Sequence, residues 1–202
     1  MKIVIVNYGS GNLRSVQKGF ERVGATAEIS DNPQAVSNAT HIVVPGVGAF
    51  SECMKNLEHL RLLEPIQEGI QAGKPYLGIC LGLQILFSAS QEFGAAPGLN
   101  LIAGKVVRFP KGRLKVPHMG WNQIKIGQNN PLFDGIPDHS FFYFVHSYYG
   151  QPEESDWIAA ATDHGIPFPS AVAHDNLFAC QFHPEKSQSM GLRLLSNFTK
   201  QR

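Results

Sequence analysis

The first 90 residues alternate between two kinds of segment, and this alternation restricts the possible fold more than any other feature of the sequence. Short, mainly apolar runs predict buried strands. They lie at residues 3–6, 25–29, 41–45 and 75–79. Between these runs apolar residues recur at helical spacing, as Leu13, Val16, Phe20 and Val23 do, and a further helix is predicted at 81–90. Strands that alternate with helices favour a parallel sheet covered by helices on both faces.

The second half of the chain has a different pattern. From about residue 99, short β-rich segments are separated by Gly, Pro, Asn and Asp. Examples lie at 105–109, 121–126, 141–149, 157–161 and 177–182. We therefore predict an α/β fold on an open, doubly wound, mostly parallel sheet of the flavodoxin-like type, with added antiparallel segments in the second half. The last helix carries Leu194 and Phe198, and we expect it to pack back on the sheet. No linker or repeat interrupts the chain, which predicts a single domain spanning 1–202.

Composition excludes several classes of protein. A formal net charge of +1 and a pI near 7.8 give no field that would attract nucleic acid or an anionic membrane. No apolar segment approaches the roughly 18 residues of a membrane span. Three cysteines are too few for a disulfide framework and fit a reducing compartment, so we expect a cytoplasmic protein without a membrane partner. We interpret Cys53 and Cys180 as ordinary small apolar residues.

The third cysteine lies in the run Gly78-Ile79-Cys80-Leu81-Gly82, after a predicted strand and before a predicted helix. This is the form of a nucleophile elbow, a tight turn that exposes the side chain at its centre. A thiol at a helix N-terminus lies near unpaired N–H groups, which favour the nucleophilic thiolate. We predict Cys80 as a nucleophile and the Leu81 N–H as a donor to an oxyanion. On this motif alone, a buried structural cysteine remains an alternative.

A thiol nucleophile needs a base, and the base needs a partner that fixes its tautomer. His183 and Glu185 flank Pro184, which favours an extended conformation at His183. Alternate residues of an extended chain point the same way, roughly 6.5 Å apart, so Glu185 can reach one ring nitrogen while the other faces Cys80. Alone, such a tripeptide is more often an exposed turn; beside the cysteine elbow it predicts a Cys-His-Glu triad. The sequence has no spacing typical of metal ligands, and we expect no metal and no cofactor.

These residues resemble the class I, or triad, glutamine amidotransferases, which carry Gly-x-Cys-x-Gly and His-Pro-Glu in this order. Longer motifs look like those of the glutaminase subunits of imidazole glycerol phosphate synthases. They are YGSGNLRSV at 8–16, PGVG at 45–48, PHMGWN at 117–122 and FHPEKS at 182–187. The resemblance runs from residue 3 to about residue 199. Asn7 and Ser147 depart from it, since many relatives carry aspartate and threonine there.

The resemblance implies how glutamine is used. Cys80 would attack the side-chain amide, release ammonia and leave a glutamyl thioester that water cleaves. Gly48 and Gln84 would contact the glutamine, as would the backbone around Ser147 and Tyr148.

The resemblance also implies a partner. Ammonia would pass unprotonated to a barrel-type cyclase subunit, which would form imidazole glycerol phosphate and aminoimidazole carboxamide ribonucleotide in histidine biosynthesis. Met119 and Trp121, placed in a predicted glycine-containing turn, are candidates for the docking face, as are Arg14 and Lys186. Trp121 capping the core of its own chain is an alternative, and solvated surface charge is the alternative for Arg14 and Lys186.

The glycine-rich segment at 45–48 follows a predicted strand, and we predict that Val47 supplies the second oxyanion N–H. We also hypothesise that this loop is misaligned until the partner and its ligand bind. Two alternatives for the whole chain stay open. One is a glutaminase subunit of another synthase, such as that of pyridoxal phosphate synthesis. The other is a non-catalytic binding module on the same fold.

Overall fold

The computed structural model describes residues 1–110, 112 and 115–201. Within these residues the helices are Leu13–Arg22 (α1), Pro33–Ser37 (α2), Phe50–His59 (α3), Leu63–Gln71 (α4), Leu81–Gln84 (α5) and Gln188–Phe198 (α6). The strands are Ile3–Val6 (β1), Ala27–Ser30 (β2), His41–Gly46 (β3), Tyr76–Cys80 (β4), Phe87–Ser90 (β5), Ala96–Pro97 (β6), Ile102–Arg108 (β7), His118–Gln123 (β8), Lys125–Ile126 (β9), Phe141–His146 (β10), Tyr148–Pro152 (β11), Ile158–Asp163 (β12), Pro167–His174 (β13) and Leu177–Cys180 (β14). Short 3-10 turns occur at Pro131–Phe133, Ser155–Trp157 and Pro184–Lys186.

A central sheet of eight strands runs through the described residues in the order β2-β1-β3-β4-β14-β13-β12-β9. The first five strands are parallel to one another. The last three extend the sheet as antiparallel strands. This arrangement confirms the predicted open, mostly parallel sheet with antiparallel additions from the second half of the chain.

Both faces of this sheet are covered, as the alternation along β1 demonstrates. Ile3 and Ile5 belong to one buried core, whereas Val4 and Val6 belong to the other. The core around Ile3 and Ile5 is closed by α1 and α6, and that around Val4 and Val6 by α2, α3 and α4. Each fully buried aliphatic or aromatic side chain in these cores contributes about 1.5–3 kcal/mol to stability.

The prediction of one helix over 81–90 was wrong. The helix ends after Gln84, and Phe87–Ser90 is a strand in a second, four-stranded sheet with the order β11-β7-β5-β6. Phe87 pairs with Ile102 and Ser90 pairs with Val106. The run is apolar enough for either structure, and pairing with β7, which is distant in sequence, decides in favour of the strand.

The second half differs from the prediction in two further respects. Leu177–Cys180 is a strand of the main sheet and lies between β4 and β13. It is parallel to β4 and antiparallel to β13, so only one of its two neighbours is antiparallel. Met119 and Trp121 lie on β8, which pairs with β10 in a two-stranded ribbon, and not in a turn. Cross-strand pairing along the whole of β8 extends the backbone through Gly120. No helix of the described residues is long and apolar enough to cross a membrane.

Candidate active site

Cys80 is the last residue of β4, and α5 begins at the next residue. Its backbone has φ 55° and ψ −103°, a conformation that costs a residue other than glycine roughly 1–3 kcal/mol. The flanking glycines make this turn possible. A Cβ on Gly78 would collide with the Gly82 carbonyl, and a Cβ on Gly82 would collide with the carbonyl oxygen of Val44. The chain therefore forms the sharp strand-to-helix turn that its sequence motif predicts.

Parallel strands bring distant residues to the same edge of the sheet. β4 lies between β3 and β14, and all three run in the same direction. Their carboxyl ends are Gly46, Cys80 and Cys180. The chain then continues past Cys180 to His183. Residues 80 and 183 are thus brought to one edge although they lie far apart in the sequence.

His183 and Glu185 form a buried pair. Nδ1 of His183 lies 2.8 Å from Oε1 of Glu185, and their side chains are only 4% and 2% exposed. His183 is extended, as predicted, with φ −105° and ψ 96°, but Pro184–Lys186 forms a 3-10 turn. The contact is therefore made across a turn, and the prediction that it uses alternate residues of an extended chain was wrong. Ser187 closes the turn, since its hydroxyl donates to the His183 carbonyl at 2.6 Å.

The charge on His183 is controlled by its neighbours. Burial disfavours the imidazolium, but Cys80 and Glu185 outweigh this effect and raise the pKa of His183 to about 10. Nε2 of His183 is buried and makes no hydrogen bond of normal geometry to any described residue. It is thus the ring nitrogen that remains to exchange a proton with Cys80. Gln181 Nε2 donates to Sγ of Cys80 at 3.6 Å, which adds a donor for negative charge on sulfur.

The other two cysteines have different surroundings. Burial raises the pKa of the Cys53 thiol to about 12 and raises that of Cys180 well above its ordinary value. Neither lines the cavity beside Cys80. Both therefore lack the accessible thiolate that nucleophilic chemistry requires. No three His, Cys, Asp or Glu side chains in the described part of the chain form a group able to hold a metal ion.

A cavity of about 290 Å³ opens beside Cys80. This volume is near the lower limit of small-molecule sites and suits a ligand of amino-acid size. The structure brings all the residues predicted for oxyanion or substrate contact to its walls. They are Val47, Gly48, Leu81, Gln84, Ser147 and Tyr148.

Gln84 connects the cavity wall to the nucleophile. Its Nε2 donates to the Tyr148 carbonyl at 3.0 Å and to Gln181 Oε1 at 3.1 Å. Gln181 in turn donates to Cys80. Because an amide has two N–H donors and both are used, Oε1 of Gln84 is left to accept a hydrogen bond from a donor in the cavity.

Glu92 also lines this cavity, and sequence reasoning missed it. Its Oε2 accepts a hydrogen bond from the Phe50 N–H at 2.7 Å, at the N-terminus of α3, where a carboxylate is favoured. Glu92 is the one acidic side chain among the described residues of the cavity wall. It belongs to no sequence motif. The one available indication was that a bound amino acid needs an anionic partner for its α-ammonium group.

The outer face of the β8–β10 ribbon is apolar and exposed. Met119 is 61% exposed and Trp121 is 47% exposed, so Trp121 does not cap the core of its own chain. They pair across the ribbon with Val145 and Tyr143, and Phe141 is exposed on the same face. We call these five residues the ribbon face. Exposed apolar clusters of this kind are typical of protein interfaces.

The two predicted cationic docking residues are carried by elements that pack against each other. Lys186 is exposed, and its Nζ lies 5.8 Å from the centre of the Tyr143 ring, at the border of the ribbon face. Arg14 is exposed on α1 and donates to Gln17 Oε1 at 2.6 Å on the same helix. Helix α1 packs against the 3-10 turn that carries Lys186.

Comparisons with known proteins agree with this geometry. The family model described as glutamine amidotransferase class-I matches residues 4–201. The chain is 55% identical to the imidazole glycerol phosphate synthase subunit HisH of Syntrophotalea carbinolica, over 97% of this chain and 98% of the relative. It is 52% identical to the HisH subunit of Geobacter metallireducens, over 97% and 96%. A solved structure described as a glutamine amidotransferase superposes with a TM-score of 0.77 at 18% identity, over 98% of this chain and 97% of that one, and shares the fold. The chain therefore belongs to the class-I glutamine amidotransferases, in the family of the HisH subunits of imidazole glycerol phosphate synthase.

Proposed function

We propose that this glutamine amidotransferase uses Cys80, His183 and Glu185 to hydrolyse the side-chain amide of glutamine to glutamate and ammonia. The observation that carries the proposal is the cysteine at a strained strand-to-helix turn, close enough to a buried histidine to raise its pKa, with one nitrogen of that histidine held by a carboxylate at 2.8 Å. We propose that residues 1–202 form a single amidotransferase domain.

The reaction takes place in two stages. In the first, the Cys80 thiolate attacks the amide carbon of glutamine, and His183 gives its Nε2 proton to the departing nitrogen, which leaves as ammonia. In the second, neutral His183 takes a proton from water as the oxygen attacks the thioester. The carbon–sulfur bond breaks, glutamate leaves and the thiolate–imidazolium pair is restored. Glu185 fixes the ring orientation throughout and stabilises its charge.

Each stage passes through a tetrahedral oxyanion that needs donors. We assign the N–H groups of Leu81 and Val47 to this role, because both residues line the cavity beside Cys80. A side chain from the loop after β1 holds the segment at 46–48. Val47 is exposed, and its carbonyl accepts a hydrogen bond from the Ser10 hydroxyl at 2.6 Å. We propose that this hydrogen bond keeps the segment misaligned, and that glutamine hydrolysis is slow until the partner and its ligand align it.

The cavity supplies complementary groups for a free amino acid. Glu92 offers a carboxylate to the α-ammonium of glutamine, and Gln84 offers its Oε1 as an acceptor. Gly48 permits close backbone approach, with φ +101°. Ser147 and Tyr148 contribute the backbone of the opposite wall.

We further propose that the chain works as one subunit of a synthase, as the names of its relatives indicate, and that its partner is a barrel-type cyclase. The ribbon face provides the apolar centre of the interface, with Lys186 at its border. We assign Arg14, which is exposed on α1, to the same interface. Val145 belongs to this face, and its carbonyl lies 4.0 Å from Sγ of Cys80, so the interface and the nucleophile are close. A dry route between the two sites would keep ammonia unprotonated and nucleophilic.

In the cyclase, the ammonia would contribute to imidazole glycerol phosphate and aminoimidazole carboxamide ribonucleotide in histidine biosynthesis. We place this activity in the cytoplasm, which is supported by three cysteines that are all free thiols.

The test is the release of glutamate and ammonia from glutamine by the chain alone, with the cyclase subunit, and with the subunit and its nucleotide ligand. We expect substantial turnover only in the full mixture. Cys80→Ser should abolish it, whereas Cys53→Ser should retain it because Cys53 lies away from the cavity. Absence of turnover in the full mixture would contradict the proposed function. Equal turnover by the chain alone would contradict partner-dependent alignment of residues 46–48.

A further inference from the structure

Two buried histidines that take no part in the proposed triad lie next to the glutamine cavity. Nδ1 of His118 lies 2.9 Å from Nε2 of His146, and both side chains are buried. His118 belongs to β8, the strand that carries the ribbon face, and His146 ends β10. They therefore connect the proposed docking strand to the cavity wall.

The partners of this pair determine which atom donates in each bond. His146 Nδ1 lies 2.8 Å from the Tyr148 carbonyl, which can only accept, so Nδ1 carries the hydrogen. A neutral His146 must then accept at Nε2, and Nδ1 of His118 must donate to it. At the far end, the Asn122 amide donates to Nε2 of His118 at 3.1 Å. The order Asn122, His118, His146, Tyr148 is thus a one-directional chain of hydrogen bonds.

The surroundings of the pair favour neutral rings. Burial lowers the pKa of His118 to about 4 and that of His146 to about 3. His164 stacks on His118 with ring centres 4.1 Å apart. Electrostatic repulsion from His164 lowers the pKa of His118 further, and repulsion from the neighbouring histidines, His183 among them, does the same for His146. Both rings therefore stay in the tautomers that the hydrogen bonds require.

The chain of bonds ends at an atom that also fixes Gln84. The Tyr148 carbonyl accepts from His146 and from Gln84 Nε2. A carbonyl oxygen cannot pass a proton onward, so this chain is not a proton relay. What it can do is hold the carbonyl, and with it the orientation of the Gln84 amide.

We propose that His118 and His146 are positioning residues for glutamine binding, because their hydrogen bonds hold the Tyr148 carbonyl where it orients Gln84 in the cavity. This inference rests on the proposed function of the same site. It assigns the pair a role in substrate affinity, since the hydrogen bonds of the pair lead to Gln84 in the cavity wall and not to Cys80 or His183. Loss of the His146 donor removes one of the two side-chain hydrogen bonds to this carbonyl, so the Gln84 amide is held less firmly in its orientation.

The test is steady-state glutamine hydrolysis by the complex of this chain with its cyclase partner. His146→Phe keeps an aromatic ring among Phe109, Phe144 and Phe168 but removes the donor. We expect it to raise KM for glutamine at least about tenfold, with a smaller change in kcat. His146→Asn retains an N–H at the δ position, and we expect it to recover most of the lost affinity.

Two further variants keep the test decisive. His118→Phe should raise KM about threefold, because His146 then loses the donor that fixes its tautomer. It also gives an answer if His146→Phe does not fold. The matched control is His41→Phe. His41 is a buried histidine at the start of β3, at the end of the strands opposite to Cys80, and this variant should keep the parent KM.

A parent KM in folded His146→Phe, or in His118→Phe, would overturn the proposal. So would a fall in kcat at unchanged KM, or a His146→Asn variant no better than His146→Phe. These outcomes differ from a failure of the proposed function, in which the unaltered complex itself would not hydrolyse glutamine.

Discussion

Nδ1 of His183 lies 2.8 Å from Oε1 of Glu185, and both side chains are almost completely buried. A carboxylate at this distance requires a hydrogen on Nδ1, which leaves Nε2 as the ring nitrogen that can exchange a proton with Cys80. The 3-10 turn Pro184–Lys186 and the Ser187 hydroxyl hold the pair in this arrangement. The tautomer of the proposed base is thus determined by the fold.

Glu185→Gln should therefore lower kcat/KM for glutamine by at least about a hundredfold. The amide can place an N–H against Nδ1, which favours the wrong tautomer, and it removes the negative charge that supports the imidazolium. The thermal stability of the variant should be measured beside its kinetics to separate misfolding from loss of catalysis. Activity within threefold of the parent would contradict the role of Glu185.

Gly82→Ala should prevent correct formation of the elbow. Its methyl group would collide with the carbonyl of Val44 in the neighbouring strand, and we expect a loss of about 2–4 kcal/mol in the free energy of unfolding. The matched control is Gly127→Ala, whose Cβ would come no closer than 3.5 Å to the Ile158 carbonyl and should cost less than about 1 kcal/mol. Urea denaturation measures both. Equal stability of the two variants would show that Gly82 is not needed for close packing.

His146 should make the protein less stable in acid. Its folded pKa of about 3 is below the unfolded value of 6.5, so below pH 6.5 the unfolded chain binds a proton that the folded chain does not. The free energy of unfolding therefore falls with pH between about 6.5 and 3, by up to about 1.4 kcal/mol per pH unit for this group. Urea denaturation of the parent and of His146→Phe at pH 7 and pH 5 tests this. The variant should lose less stability on acidification, and an identical loss would contradict the prediction.

The ribbon face should carry most of the affinity for the partner. Trp121→Ala should raise the Kd for the cyclase subunit at least about tenfold, because exposed aromatic side chains commonly dominate interface energies. Lys105→Ala, an exposed substitution on β7, provides the control and should leave the Kd unchanged. Calorimetric titration measures both values. An unchanged Kd for Trp121→Ala would place the interface elsewhere.

The parallel half of the fold was predictable because its signals are local. Runs such as Ile3–Val6 are apolar at every position, which is typical of strands buried on both faces, and the glycines around Cys80 reveal a tight turn. The strand Phe87–Ser90 was missed because its pairing with Ile102 and Val106 is long-range. No local property of the segment separates that strand from a continued helix.

The candidate site was predictable where residues form motifs and not where they meet only through the fold. Cys80, His183 and Glu185 follow from two short motifs, and Gln84 follows from family resemblance. Glu92 has no motif, and it reaches the cavity only because the turn after β5 places it at the start of α3. The His118–His146 contact likewise depends on the register of β8 with β10, which pairs these two residues directly.

The central claim is that Cys80 attacks the amide of glutamine, and the most direct test is covalent labelling. The complex with the cyclase subunit and its nucleotide ligand is treated with a chloroketone analogue of glutamine, and the modified peptide is identified by mass spectrometry. We predict one adduct, on Cys80, and none in the Cys80→Ser complex, since Cys80 lines the cavity whereas Cys53 and Cys180 do not. A complex that hydrolyses glutamine but gives no adduct on Cys80, or that is labelled equally after Cys80→Ser, would contradict the account.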